Sequence, residues 1–113
     1  MNAKRIITEA LPARLVDKLY RLAEKYAQKG VKLFVFGSFA NGTNRSTSDL
    51  DIGVLWQSER SAQTFRELYD EVQQLPTIRK IDLVDMDLAG QRFREKVLGQ
   101  EILILYSRQK TKA

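Results

Sequence analysis

The sequence predicts an α/β fold in which helices pack on a β-sheet. Segments with apolar residues at helical spacing alternate with short apolar runs typical of strands, in the order αβαβαβαβ. Glycine, proline and small polar residues separate these segments. Because there is no internal repeat, low-complexity segment or interdomain linker, we expect the 113 residues to form one domain, with flexible tails at about residues 1–7 and 107–113.

The first helix and strand are predicted near the beginning of the chain. One face of the helix is apolar, with residues three or four positions apart: Leu11, Leu15, Leu19, Leu22 and Tyr26. Pro12 suits the first turn of this helix, and Gly30 suits its end. Residues 31–36 form the first strand. The turn that begins at Gly37 is expected to open a short helix with Ser38 near its N-terminus.

A second strand, a long helix and a third strand follow. The second strand is predicted at about residues 49–55, and the helix after it is ended by a proline. The inward face of this helix is expected to contain Phe65, Leu68, Tyr69, Val72 and Leu75. Residues 78–84 form the third strand. Alternation along it places Ile81 and Leu83 toward the core and Asp82 on the opposite face.

One more helix and strand complete the predicted fold. Asp87 is expected to cap a helix that carries Phe93 and Val97 inward and ends at Gly99. Residues 102–106 form the last strand.

Composition excludes several kinds of protein. Without cysteine or histidine, the chain has no disulfide framework, no thiolate metal site and no histidine acid–base chemistry. It has no signal peptide and no apolar run near the ~20 residues that span a bilayer, so we expect a cytoplasmic protein without a membrane partner. The net charge of +5 lies in the tails, since residues 8–106 carry fourteen basic and fourteen acidic side chains. This distribution argues against a nucleic-acid partner, which favours a basic face on the folded body.

A polar turn followed by paired carboxylates marks a candidate site. The first strand ends in Gly37-Ser38, and Asp49-Leu50-Asp51 follows after ten residues. On a strand, Asp49 and Asp51 project from one face and repel each other unless a cation lies between them. Hard divalent ions such as Mg²⁺ accept these oxygen ligands, usually together with substrate phosphates. An Asp-X-Asp segment alone is also common at turn–strand junctions, but the upstream Gly-Ser turn favours a metal–nucleotide site.

This spacing resembles the GSx10DxD signature of the nucleotidyltransferases related to DNA polymerase β. The short chain is similar to the minimal nucleotidyltransferases (MNT), the MntA-type antitoxins of HEPN/MNT toxin–antitoxin pairs. The resemblance covers most of the chain and includes residues 80–85, 93–95 and 101–106. It implies the polymerase β-like nucleotidyltransferase fold, with a mixed sheet of three to four strands packed by helices.

The resemblance also implies a role for each polar residue of the candidate site. The catalytic and metal-binding residues would be Asp49, Asp51 and Asp82, with Asp82 as the third acid near the incoming hydroxyl. The nucleotide-binding residues would be Gly37, Ser38, Arg45 and Ser48. The implied cofactor is Mg²⁺ at a two-metal site, and the implied substrate is ATP.

Several of these residues also have a purely structural interpretation. Ser48 can be a turn former, and Arg45 can be a solvated loop charge. Asp85 and Asp87 are expected to be turn and cap residues. Asn41 departs from the family pattern, because relatives often carry a basic residue at this position.

The implied function is Mg-dependent transfer of AMP from ATP to a hydroxyl, a tyrosine, of a partner HEPN-domain ribonuclease toxin. Since the chain lacks the additional substrate-binding domain of larger relatives, we expect the acceptor groove to be completed by a partner or by a dimer. Two alternatives stay open. One is an antitoxin that neutralises the toxin by binding alone, with a vestigial nucleotide site. The other is an antibiotic-modifying nucleotidyltransferase, which the missing second domain disfavours.

Overall fold

A computed structural model gives the structure of this protein and describes residues 10–45 and 47–105. In these ranges helices and strands alternate as α1 (Ala13–Ala27), β1 (Val31–Phe36), α2 (Ser38–Asn41), β2 (Leu50–Trp56), α3 (Ala62–Gln73), β3 (Ile81–Asp85), α4 (Gln91–Leu98) and β4 (Leu103–Ile104). The predicted α/β order is confirmed. None of the described helices has the length and apolar character needed to cross a bilayer. Both predicted tails lie outside the described residues.

The strands form one mixed sheet in the order β3-β2-β1-β4. β1 pairs antiparallel with both β2 and β4, whereas β2 and β3 are parallel. A parallel pair requires a long connection, and α3 supplies it between β2 and β3. The mixed sheet implied by the family resemblance is therefore confirmed.

The two faces of the sheet are covered to very different extents. One face packs on α1 and α3 and forms the main core, whose fully buried side chains include Leu15, Leu19, Tyr26, Leu33, Leu50, Ile52 and Leu68. Ile81 and Leu83 pack against this core, as predicted. The opposite face carries a small cluster built on Phe34, Met86 and Val97. Within residues 10–45 and 47–105, the second face is therefore covered more thinly, by the eight-residue helix α4.

Local sequence explains where the helices begin and end. Pro12 lies immediately before α1, and Gly30, with a φ of +80°, follows it in the turn to β1. The Ser61 hydroxyl accepts a hydrogen bond from the backbone N–H of Thr64, which caps α3. Gly99 lies at the C-terminal end of α4, as predicted.

Two aromatic residues predicted to point inward are instead exposed. Tyr69 on α3 is 46% exposed, and Phe93 on α4 is 41% exposed. Both line a cavity beside β3, at the borders of the packed faces. Helical spacing predicted their side of the helix, but β3 is the edge strand of the described sheet, so no further described strand lies beside it to cover them.

The predicted strand and cap near β3 also need correction. Ile78 is fully exposed, because the chain turns here and β3 begins three residues later. Asp87 does not cap α4: Gly90 holds the cap position, and the Asp87 carboxylate lies 4.0 Å from Arg94 Nη1. The last strand is shorter than predicted, and residue 106 lies outside the described residues.

Asp85 has more contacts than a turn residue requires. Its buried carboxylate accepts hydrogen bonds from Trp56 Nε1 at 3.0 Å, from Arg60 Nε at 2.6 Å and from the backbone N–H of Asp87 at 2.9 Å. The Arg60 guanidinium also lies 5.9 Å from the ring centres of Trp56 and Phe65. Asp85 thus forms the predicted turn and, in addition, ties the C-terminal ends of β2 and β3 together.

Candidate active site

Sheet register brings two of the predicted acids together. Phe36 of β1 pairs with Asp51 of β2, and Asp51 pairs with Asp82 of β3. Paired residues on neighbouring strands project from the same face. These three side chains therefore form a row across the sheet, on the thinly covered face. The sequence predicted that Asp82 lies off the core face, but it did not predict this direct pairing with Asp51.

The surroundings of the Asp51 carboxyl disfavour its negatively charged form. Its pKa is raised to about 6, first by burial, then by the negative charges of Asp82 and Asp49, and by a hydrogen bond with Asp82. Lys80 opposes this shift. The Lys80 ammonium lies 3.7 Å from Asp82 Oδ1, but both groups are exposed enough for water to screen the pair. Lys80 therefore compensates only part of the negative charge.

Asp49 lies apart from the other two acids. It is an exposed residue immediately before β2 rather than inside the strand, although its charge acts on Asp51. In residues 10–45 and 47–105, no three acidic side chains are gathered closely enough to form a metal-ligand cluster. The structure thus brings Asp51 and Asp82 together and leaves Asp49 at the border of the site.

The Gly-Ser turn reaches the same carboxylates from β1. Gly37 has a φ of +77°, which L side chains rarely adopt, and a Cβ at this position would collide with Asp51 Oδ2. Ser38 follows as the first residue of α2, and its carbonyl accepts a hydrogen bond from the backbone N–H of Thr43. The backbone conformation therefore favours glycine at position 37, and a larger residue would also have to displace the Asp51 carboxylate.

The two other predicted nucleotide ligands form a turn in front of β2. The backbone N–H of Arg45 donates to the Ser48 hydroxyl at 2.7 Å, and the Ser48 N–H donates to the Arg45 carbonyl at 3.0 Å. Ser48 is thus a turn former in this structure, and the Arg45 side chain is exposed. Asn41 has a similar role, because its Oδ1 accepts hydrogen bonds from the N–H and the hydroxyl of Thr43.

A cavity of about 720 Å³ adjoins the carboxylates. Residues from both faces of β3 line it, which shows that it runs along the edge of that strand. Side chains of α3 border it on one side and Phe93 of α4 borders it on the other. Its volume lies in the range of small-molecule sites.

Two cations of this cavity were not singled out in the sequence. Arg79 and Lys80 both line it, just before β3. The Arg79 guanidinium lies 5.0 Å from the ring centre of Phe39, and its Nη1 donates to the Ser48 carbonyl at 2.6 Å. Their position directly before the strand that carries Asp82 could have indicated a role in the site. Only the fold shows what they contact.

The donor set suits a divalent cation. Asp51 and Asp82 offer carboxylate oxygens side by side, and burial together with the neighbouring negative charges raises the pKa of Asp51, so a bound cation would favour its charged form. Oxygen ligands of this kind are those that Mg²⁺ prefers. Asp51 and Asp82 therefore fit the predicted metal, with Asp49 near enough to add its charge. The metal site itself stays a prediction.

The pKa of Asp51 leads to a prediction about pH and stability. Because the pKa is about 6 in the fold and 3.8 for an isolated carboxyl, the folded state favours the protonated form. In the metal-free protein, the contribution of Asp51 to stability should therefore fall as pH rises from about 3.8 to about 6 and stay lost at higher pH. At pH 8, Asp51→Asn should raise the melting temperature by several degrees; about 1 kcal/mol corresponds to 4 °C or more in a domain of this size.

Thermal unfolding at pH 5 and pH 8 in the presence of a chelator measures this effect. Asp87→Asn, which removes an exposed carboxylate outside the site, should show no comparable gain. An Asp51→Asn protein that is no more stable than the wild type at pH 8 would contradict the prediction.

Several solved structures have a fold similar to that of this chain. A structure described as a toxin–antitoxin with AMP-PNP is 25% identical, with a TM-score of 0.58, over 88% of this chain and 77% of that one. A tyrosine-to-alanine mutant of the toxin–antitoxin MntA–HpeT is 25% identical, with a TM-score of 0.57, over 83% and 73% of the two chains. A Sulfolobus solfataricus protein described as a nucleotidyltransferase shares the fold at 18% identity, with a TM-score of 0.50, over 97% and 92%. Curated protein sequences give no match.

The family described as Polymerase beta, Nucleotidyltransferase matches residues 17–111. This range includes the Gly-Ser turn, both acids around β2 and the third acid on β3. The resemblance seen in the sequence is confirmed, and the chain belongs to the polymerase β nucleotidyltransferase family.

Proposed function

We propose that this protein is a Mg-dependent antitoxin enzyme that transfers AMP from ATP to a hydroxyl, a tyrosine, of a partner HEPN-domain ribonuclease toxin. One observation carries the proposal. A member of the nucleotidyltransferase family holds Asp51 and Asp82 in register, against the Gly37 turn and beside an open cavity. A site that had lost its activity would have no reason to keep two repelling carboxylates adjacent.

The three acids of the site would have different roles in the reaction. The acceptor hydroxyl oxygen attacks the α-phosphorus of ATP, the bond from that phosphorus to the bridging oxygen breaks, and pyrophosphate leaves. Asp82, which lines the cavity on the edge strand, would accept the hydroxyl proton. Mg²⁺ held by Asp51 and Asp82, with Asp49 as a further ligand, would neutralise phosphate charge.

The remaining residues would hold the triphosphate. Gly37 lets the backbone approach a phosphate without a side chain in the way, and Ser38 can donate its hydroxyl. Lys80 contributes positive charge at the cavity, close to Asp82. Arg45 is exposed on the loop before β2 and would add positive charge near the triphosphate. The nucleotide is proposed as ATP, in keeping with the AMP-PNP of one toxin–antitoxin relative.

A protein acceptor agrees with the shape of the site. The cavity is open along the edge of β3, where no further strand of residues 10–45 and 47–105 pairs with the sheet. The relatives described as toxin–antitoxin support a toxin as the protein that completes it. AMP attached near the toxin's ribonuclease site would add charge and bulk that repel RNA phosphates. Inhibition would then outlast the complex, and a cytoplasmic location is proposed for both proteins.

Mass spectrometry of the toxin tests the proposal. A HEPN-domain toxin, sought first as the product of the neighbouring gene, is incubated with this protein, ATP and Mg²⁺, and the two proteins are then separated. We expect the toxin to gain one or more AMP units on a tyrosine and to stay inactive as a ribonuclease. Reactions without ATP, and reactions with the Asp49→Asn, Asp51→Asn double variant, serve as controls. An unmodified toxin that is inhibited only while bound would instead indicate an antitoxin that acts by binding alone.

A further inference from the structure

Asp49 stands just outside the β-strand, so sheet pairing by itself does not fix its position. The peptide groups on both sides of Asp49 are bonded to the same neighbouring segment. The Ser48 carbonyl accepts from Arg79 Nη1 at 2.6 Å, and the Leu50 N–H donates to the Lys80 carbonyl at 3.0 Å. The segment 79–80 therefore holds the backbone of Asp49 from both sides.

The Arg79 side chain also contacts the helix that follows the Gly-Ser turn. Its guanidinium lies 5.0 Å from the ring centre of Phe39, a buried residue of α2. A guanidinium can stack on an aromatic ring and donate to a carbonyl at the same time, because its donors lie in the plane of the group. Arg79 thus connects α2, the peptide that leads into Asp49 and the start of β3.

We propose that Arg79 is a positioning residue, which sets the distance between Asp49 and the other groups of the site. The inference rests on the proposed nucleotide chemistry of that site. Arg79 lies three residues before Asp82 in the chain, so it joins the peptide that leads into Asp49 to the strand that carries the third acid. Without it, the turn before β2 would keep its internal hydrogen bonds but lose the attachment of its Ser48 carbonyl to this segment and to α2.

The fold contains a second arginine that makes a suitable matched control. Arg60 is also partly buried, also makes a 2.6 Å hydrogen bond and also stacks on aromatic rings. It acts on Asp85, at the opposite ends of β2 and β3 from the candidate site. Arg60→Gln should therefore lower stability without changing the site, which separates general support of the fold from positioning.

The test compares Arg79→Gln, Arg79→Lys and Arg60→Gln with the wild type. We expect Arg79→Gln to weaken binding of Mg-ATP about tenfold and to slow AMP transfer by up to about 10²-fold, since small displacements of reacting groups have effects of this size. Arg79→Lys keeps a donor for the Ser48 carbonyl but loses the planar fork, so it should recover part of the loss. Arg60→Gln should bind Mg-ATP and transfer AMP like the wild type at a temperature where all variants are folded.

Amide hydrogen exchange supplies a readout that needs no nucleotide. In the metal-free protein, Arg79→Gln should speed exchange at residues 48–51 at least tenfold, whereas Arg60→Gln should not. Wild-type exchange and wild-type Mg-ATP binding in Arg79→Gln would overturn the inference, as would an equal loss of binding in Arg60→Gln. If the wild type fails to bind Mg-ATP at all, the proposed function fails, and the exchange measurement still decides whether Arg79 holds Asp49.

Discussion

Replacing Asp82 by asparagine is expected to reduce AMP transfer by about 10²–10⁴-fold, the usual effect of removing a general base. Asparagine has nearly the same shape but cannot accept the proton of the acceptor hydroxyl. Asp82 lies on the edge strand β3, whereas Asp51 lies on β2 and Gly37 directly follows β1. The groups proposed to hold the triphosphate therefore stay in place, and nucleotide binding should change much less than turnover. Single-turnover transfer and equilibrium binding of Mg-ATP, measured on the same samples, distinguish the two effects.

A neighbouring acid provides the control for this substitution. Asp87→Asn removes a carboxylate from the turn that follows β3, outside the row of site residues. It should leave both AMP transfer and Mg-ATP binding unchanged. In Asp82→Asn the pKa of Asp51 should also fall, because the second-largest cause of its rise is the charge of Asp82. Wild-type turnover in Asp82→Asn would show that another group accepts the proton.

The double variant Asp49→Asn, Asp51→Asn is expected to lose all stabilisation by Mg-ATP. A ligand that binds only the folded state stabilises it by about 2.7 kcal/mol at a concentration one hundred times its Kd. In a domain of this size that free energy corresponds to a rise in melting temperature of about 10 °C. Without the two carboxylates the wild-type rise should disappear, and AMP transfer with it. Thermal unfolding with and without Mg-ATP measures the rise directly.

The double variant and the wild type must be compared by the rise in melting temperature that Mg-ATP causes, because their melting temperatures without ligand are expected to differ. The variant should be at least as stable as the wild type without ligand, since the substitutions relieve repulsion around Asp51. Asp70→Asn combined with Asp87→Asn removes the same charge from exposed positions and should keep the full rise. A double site variant that still gains about 10 °C would place the nucleotide elsewhere on the protein.

Much of the fold follows from local sequence pattern. Helical spacing on α1 and the apolar run of β1 predicted both elements nearly residue by residue. The Gly-Ser turn was predicted for the same reason, because a glycine after an apolar strand indicates a change of direction. Patterns of this kind describe which side chains prefer burial, and the burial of apolar faces is the main driving force of folding.

The predictions that failed concern the border of the sheet. Tyr69 and Phe93 have the spacing of inward residues, yet they are exposed because β3 is the edge strand of the described sheet. Helical periodicity predicts the direction of a side chain relative to its own helix. It does not predict whether a strand lies opposite.

The chain itself determined the chemistry of the site, through a glycine, a serine and three acids at recognisable spacing. Only the tertiary structure decided how these groups meet: Asp51 and Asp82 are thirty-one positions apart and become neighbours through parallel pairing of β2 with β3. The tertiary structure likewise shows that Asp49 lies at the border of the site and that Arg79 contacts the peptide that leads into Asp49. The physical reason is that register and strand order are set by long-range burial, whereas sequence spacing records only local geometry.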